Sequence, residues 1–426
     1  MASLREVLAL CKEGQAQKAY ELSKADMEQQ FPWAQREMGW TLYYLMKEDT
    51  DKNDYQSLET HLDELCTLDQ LSMTDDSMIF ENVLFKVAGF VKDHVSPKDI
   101  NSPARLSSLF SKLRGFRFEA SKGYSFLLQS FIKCDGWQEM VDFIDWWNLD
   151  NLTQEDYTPF KTDAGKSIMS VAEQAFIAKS KALLRLNDLV RIEEFLPQMN
   201  DLMEHHSEMT YPGYFYGKLL LSLGSNTDDA LKAIVPFARR KASEFWVWQL
   251  LSDVFTNDEE KQQACLLRAV NCRTKESFLG KVRIKLAAFY IQRNQYDYAR
   301  YQIDKIVQCY QQQGWHLPFE VDCWIHQSWI NTATPNSKTP IDYMAITKSL
   351  LSEDSKVVEG KVCKRDDKDF AFLKTRKGDY FISPNVVRKY GLQNGEVAEG
   401  LIVYDYDKKK GTRTWTCISI NNKPKK

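Results

Sequence analysis

No apolar run in this 426-residue sequence approaches the roughly 18 residues that a membrane span needs, so no membrane partner is expected. The N-terminus, Met-Ala-Ser-Leu-Arg-Glu-Val-Leu, is amphipathic and soon turns acidic, which is not the pattern of a signal peptide. The nine cysteines are scattered singly, an odd number without framework spacing, as expected for free thiols in a reducing cytoplasm. A phosphate-binding loop is also missing. Gly165-Lys166-Ser167 resembles the end of one, but Phe160 stands where its first glycine belongs and no strand precedes it; the stretch reads as a helix start. Among Cys309, His316, Cys323 and His326, only Cys323 and His326 have the short spacing of a zinc-ligand pair. Cys309 and Cys323 fall in amphipathic helices and read as small core residues, and His205-His206 reads as a helix end. No Ser/His/Asp or Cys/His arrangement is legible. Neither an enzyme nor a cofactor is expected.

What is present is helix. The chain is long enough for two or three domains, and 43% apolar with 27% charged residues is ordinary for a soluble globular protein. Over residues 2–330 an apolar helix, a polar break and a second amphipathic helix recur. Trp40 to Leu45 pairs with Leu58 to Cys66, Phe80 to Val91 with Leu106 to Leu113, and Tyr124 to Ile132 with Met140 to Trp147. Further on, Val171 to Leu186 pairs with Leu189 to Met203, and Tyr214 to Leu223 with Ala230 to Ala238. Trp246 to Phe255 with Lys261 to Val270, and Phe278 to Ile291 with Ala299 to Tyr310, complete the series. The pairs recur at roughly 30–45 residues, the period of helical solenoids. Trp248-Gln249-Leu250-Leu251 with Ala264, Leu267 and Ala269, and Leu286-Ala287-Ala288-Phe289-Tyr290 with Tyr298-Ala299, resemble tetratricopeptide repeats. That resemblance implies stacked hairpins in a right-handed superhelix whose groove holds a peptide or another protein. Trp146, Trp147, Trp246, Trp248, Trp324 and Trp329 recur at helical spacing and are expected between helices, not on a ligand.

Residues 331–340 carry two prolines and linker composition, and Ile341 to Leu351 forms one further helix. Five short strands follow, the content of a small barrel: Val357 to Lys364, Phe370 to Lys374, Asp379 to Ser383, Glu396 to Tyr404 and Thr412 to Ile420. In the second, Phe370, Phe372 and Lys374 alternate with Ala371 and Leu373, so two rings and a cation share one face. A short Arg376-Lys377-Gly378 turn brings Phe381 beside them. Leu373, Ile382, Val362, Val403 and Ile418 supply the inside of the barrel. From 355 onward there are 17 Lys and Arg against 9 Asp and Glu, whereas residues 1–354 carry 39 against 50. A basic module on an acidic body is the electrostatic footprint of a phosphate binder.

Asp369-Phe370-Ala371-Phe372-Leu373 and Asp379-Tyr380-Phe381-Ile382-Ser383-Pro384 resemble the two aromatic motifs of cold-shock domains, and most of all the RNA-binding barrel of transcription terminator Rho. Val387-Arg388-Lys389-Tyr390-Gly391-Leu392 with Asn394-Gly395-Glu396 is similar to the turn that follows them. The resemblance covers residues 356–421 and implies binding of single-stranded RNA or DNA. Thr412 replaces a glutamate of that family and Thr414 precedes Trp415 where it has a tyrosine, so single-strand binding carries over further than a pyrimidine preference; termination is not implied, since the motor is absent.

The fold expected is mostly α: a solenoid of tetratricopeptide-like hairpins over 1–330, a linker with a helix over 331–354, and a five-stranded OB-type β-barrel over 355–421 before a basic tail at 422–426. Phe370, Phe372, Phe381 and Trp415 are the expected stacking residues. Lys361, Lys364, Arg365, Lys374, Arg376 and Arg413 are the expected phosphate contacts. A chain so built resembles accessory proteins of bacterial conflict or defence systems, joining a protein partner to nucleic acid. The alternative is a protein scaffold whose barrel is a docking or oligomerisation module.

Overall fold

The computed structural model describes residues 4–96, 98–116, 118–161, 165, 167–352, 354–365, 367–407 and 412–422. It is mostly α-helical, with nineteen α-helices and a closed five-stranded barrel at the C-terminal end among the described residues. The chain divides into two compact units, Met1–Leu223 and Gly224–Lys426.

In the first unit the helices pack in rows. Ala34–Lys52 lies against Ser77–His94, that helix against Lys122–Phe131, then Val171–Leu186, then Pro212–Ser222; a parallel row sets Tyr55–Cys66 against Ser102–Leu113. Helices of the inner row need apolar residues on more than one side, and Ser77–His94 has them: Ile79, Phe80, Val83, Leu84, Val87, Ala88, Phe90 and Val91 are all buried. Polar residues end each run. Asp54, Ser121, Ser170 and Asp188 cap helix N-termini by accepting a backbone N–H three residues on, and Asn53 and Asn187 take the left-handed conformation at helix ends. Trp146 and Trp147 pack between helices. Trp147 is fully buried and stacked on Tyr124 at 4.4 Å, donates from Nε1 to the Tyr124 carbonyl, and accepts at its own carbonyl from the Tyr124 hydroxyl.

Ser167 does not start a helix: Ser167–Ile168 is a two-residue strand paired with Phe160–Lys161, Gly165 sits at φ 73°, and the helix begins only at Val171. Asp163, Ala164 and Lys166 lie outside the described residues.

The second unit starts with five helices, Thr227–Arg240, Phe245–Val254, Glu259–Val270, Gly280–Ile291 and Tyr296–Gln313, each lying against the next up to the last. Trp248 is buried, Trp246 packs on Phe237, and Trp329 stacks on Tyr296 at 4.8 Å. The segment before residue 340 is pinned to Tyr296–Gln313, because Thr334 and Asn336 donate backbone N–H groups to Asp297.

The barrel strands are β1 (Asp354–Lys364), β2 (Ala371–Thr375), β3 (Gly378–Ile382), β4 (Val397–Asp407) and β5 (Thr412–Asn422). They close in the order β1-β2-β3-β5-β4, antiparallel except for the short β3–β5 seam, where Phe381 faces Thr416 and Ile382 faces Cys417. Val362, Leu373, Tyr380, Ile382, Ile402 and Cys417 fill the interior, and Val387 of the helix Pro384–Tyr390 joins them. The last residue of β5 is Asn422, and residues 423–426 of the expected tail lie outside the described residues.

Val403 and Ile418 are buried, but not inside the barrel as expected. They form a separate cluster with Ala345 and Leu401, so they sit on the outer face of β4–β5 beneath the helix Tyr343–Leu351. The reason is alternation: Ile402 and Cys417 face inward, and their chain neighbours must face out. Asp342 fixes this helix to the barrel. It caps the helix by accepting from Ala345 N–H, pairs with Lys389 at 2.6 Å, and accepts the Tyr390 hydroxyl. At the other end Arg239 donates to the carbonyls of Leu351 and Ser352, neutralising the helix C-terminus.

Gly360 stands where β2 comes closest to β1. A Cβ there would lie 2.6 Å from the Lys374 carbonyl oxygen, which is backbone and has no way to turn aside. Gly360→Ala is therefore expected to destabilise the barrel by about 1–3 kcal/mol, the usual cost of forcing extra volume into a packed site. Denaturant unfolding of the full chain measures this, and an unchanged midpoint would show that β1 relaxes freely.

Candidate nucleic-acid interface

Phe372 on β2 and Phe381 on β3 stand directly opposite each other across the hairpin. Phe370 precedes β2 on the same face. The ring centroids are 5.8 Å apart for Phe370–Phe372, 5.6 Å for Phe370–Phe381 and 5.8 Å for Phe372–Phe381. None of the three belongs to the barrel core: Phe372 is 37% exposed, and the other two are half-buried against their neighbours. The cause is the two-residue period of β2. Ala371 and Leu373 point inward and are fully buried, which leaves Phe372 outside.

A groove of about 550 Å³ lies against these rings. Phe370 and Phe372 form part of its wall, with the cations Lys364, Arg365, Lys368 and Lys374 around them. Lys364 and Arg365 make no ion pair among the described residues, and Lys374 has Asp379 at 3.8 Å. Asp379 and Asn394 supply the polar groups; the Asn394 side-chain carbonyl accepts the Lys364 backbone N–H at 3.0 Å and so ties the loop before β4 to β1. Lys361 faces Lys374 directly across β1–β2. Like charges in that position repel and weaken a sheet, a cost that an anion bound between them removes.

The expected site residues are thus only partly brought together. Phe370, Phe372, Phe381, Lys364, Arg365 and Lys374 converge, and Lys361 adjoins them. Arg376 lies in the β2–β3 turn, at the edge of a different groove. Arg413 is exposed on β5, opposite Tyr406. Trp415 does not extend the cluster: Thr416 is the residue beside Phe381, and Trp415 alternates with it, facing Tyr404 at 5.3 Å with Lys356 Nζ 3.9 Å from its ring centre. Lys368, Asn394 and Asp379 were not anticipated as lining residues. Asp379 was legible as the residue two before Phe381 on the same face; the Asn394 contact joins residues 30 positions apart and leaves no local signal.

A small closed five-stranded barrel that carries clustered aromatic rings and cations on the outside of its second and third strands is an OB-type domain. Residues 356–420 match the family described as S1/CSD-like domain 2 of the TOTE conflict systems. Residues 210–348, helical here, match a domain of unknown function, DUF7017. No curated protein and no solved structure matches the chain.

Proposed function

We propose that the barrel binds single-stranded RNA or DNA by stacking bases on Phe370, Phe372 and Phe381, while the helical repeats hold a protein partner. The chain then acts as an adaptor in the cytoplasm, not as an enzyme, and the match to a domain of conflict systems supports a role of that kind. The observation that carries the reading is the position of the three rings: clustered, on the water side of a strand pair, with four cations lining the groove beside them. Base–aromatic stacking contributes about 1–3 kcal/mol per base and tolerates any base, so these rings supply affinity without a sequence rule.

A salt titration with a fluorescent single-stranded oligonucleotide tests it. Binding should be tightest near 50 mM salt and weaken as salt rises, with log K falling by about 0.7 per phosphate contact for each decade of salt. A protein that ignores the oligonucleotide at low salt would be a protein scaffold instead, with the barrel as its docking module.

A further inference from the structure

A second groove lies on the same barrel, beyond the Lys361–Lys374 pair. Its volume is about 770 Å³, and Lys374 lines both grooves. The chain's own pairing opens it. β1 pairs with β2 only from Lys361 onward, so Val357 to Glu359 keep the β4 ladder alone, while Gly360 still lies close against Lys374 and Thr375 at the groove's inner end. One wall is Val357, Val358 and Gly360 with Val397; the other is Lys374 and the turn Thr375, Arg376, Lys377. Glu359 is the acidic residue among those lining it.

Two features of this groove are unexplained by the barrel's stability. Val357 and Val397 are 64% and 54% exposed, against the general burial of apolar residues on these strands. Arg376 and Lys377 project from the turn with no ion pair among the described residues. Apolar surface facing a row of cations suits a chain that alternates phosphates with flat, weakly polar sugar and base edges.

Resting on the nucleic-acid reading above, we infer that this groove continues the binding path. A strand stacked on the phenylalanines passes over Lys361 and Lys374 and lays its next nucleotides between Val357, Val397 and the Arg376-Lys377 turn. From Phe372 to Thr375 is three strand positions, about 10 Å, with Arg376 in the turn beyond, so the footprint is longer than the ring cluster alone provides.

The test compares oligouridylates of four and ten residues on the full-length protein. With Arg376→Ala and Lys377→Ala together, the ten-residue oligonucleotide should bind about tenfold more weakly. Its log K against log salt slope should fall by about 1.4, the value for two lost phosphates. The four-residue oligonucleotide should bind as before. Val357→Ser, which leaves the charge untouched, should weaken only the longer one. Equal weakening at both lengths would reduce the turn to a long-range charge effect and overturn the groove, as would no change at either. Failure of the unaltered protein to bind either length, as oligouridylate or as the matching oligothymidylate, would instead overturn the nucleic-acid reading itself.

Discussion

Alanine at both Phe370 and Phe372 is expected to lower affinity for a single-stranded oligonucleotide by at least about 30-fold, with the barrel still folded. The size follows from two lost stacking surfaces at about 1–3 kcal/mol each, of which only the lower end is needed. The barrel stays folded because of where the rings are. Phe372 is 37% exposed, and neither ring belongs to the core formed by Val362, Leu373, Ile382 and their neighbours. What the double variant loses in the free protein is ring–ring packing, worth about 0.5–1.5 kcal/mol per aromatic pair. Leu373→Ala supplies the contrast. Leu373 sits between the two rings in sequence but is fully buried, so its truncation should cost about 2–5 kcal/mol of stability. Anisotropy titration with thermal melting separates the two variants. Should the phenylalanine variant melt as early as Leu373→Ala, the rings hold the barrel together and the platform does not exist.

The same alternation explains what the sequence made legible and what it hid. Period-two patterning around Phe370–Lys374 was enough to place the rings outside and Leu373 inside, because both facts are local to one strand. Periodicity near 3.6 likewise located the helices, since each carries its own buried stripe. Val403 and Ile418 went wrong for a non-local reason. Being apolar, they read as interior, yet the surface they bury against belongs to the helix Tyr343–Leu351, which only the folded chain lays over β4–β5. Trp415 shows the limit of a strand read alone. Which neighbour it faces is set by the seam pairing Phe381 with Thr416, and the sequence carries no mark of that register. The hairpin of Phe160–Lys161 with Ser167–Ile168 was missed because it is two residues long and exposed, with no apolar pattern to announce it.

Glu37→Gln is expected to stabilise the N-terminal helices at pH 8 and to remove most of their pH dependence between 4.5 and 7. Glu37 lies where Ala16–Glu28 packs on Ala34–Lys52, and it is fully buried. Both of its carboxyl oxygens, and Oδ2 of the nearby Asp26, lack a hydrogen-bond partner among the described residues. The neighbouring Ser23 and Thr41 hydroxyls are engaged with each other at 3.2 Å, and Thr41 also donates to the Glu37 carbonyl. Burial first, then the negative charge of Asp26, with Glu6 adding repulsion, push the Glu37 carboxyl from its ordinary 4.5 up to about 7. The native state therefore keeps a proton that the unfolded chain has already released above 4.5. Stability from this group is greatest below pH 4.5, is lost as pH rises to about 7, and stays lost beyond it. The loss is on the order of 3 kcal/mol, from 1.36 kcal/mol per pH unit. Glutamine keeps the neutral form at every pH and can donate to Asp26. At pH 4 the variant should match the wild type; at pH 8 its first melting transition should lie higher by about 6–12 °C, taking about 2–4 °C per kcal/mol for a unit of this size. Scanning calorimetry of the full chain at both pH values decides the matter. Parallel curves would mean that Glu37 ionises freely and that water reaches the pair.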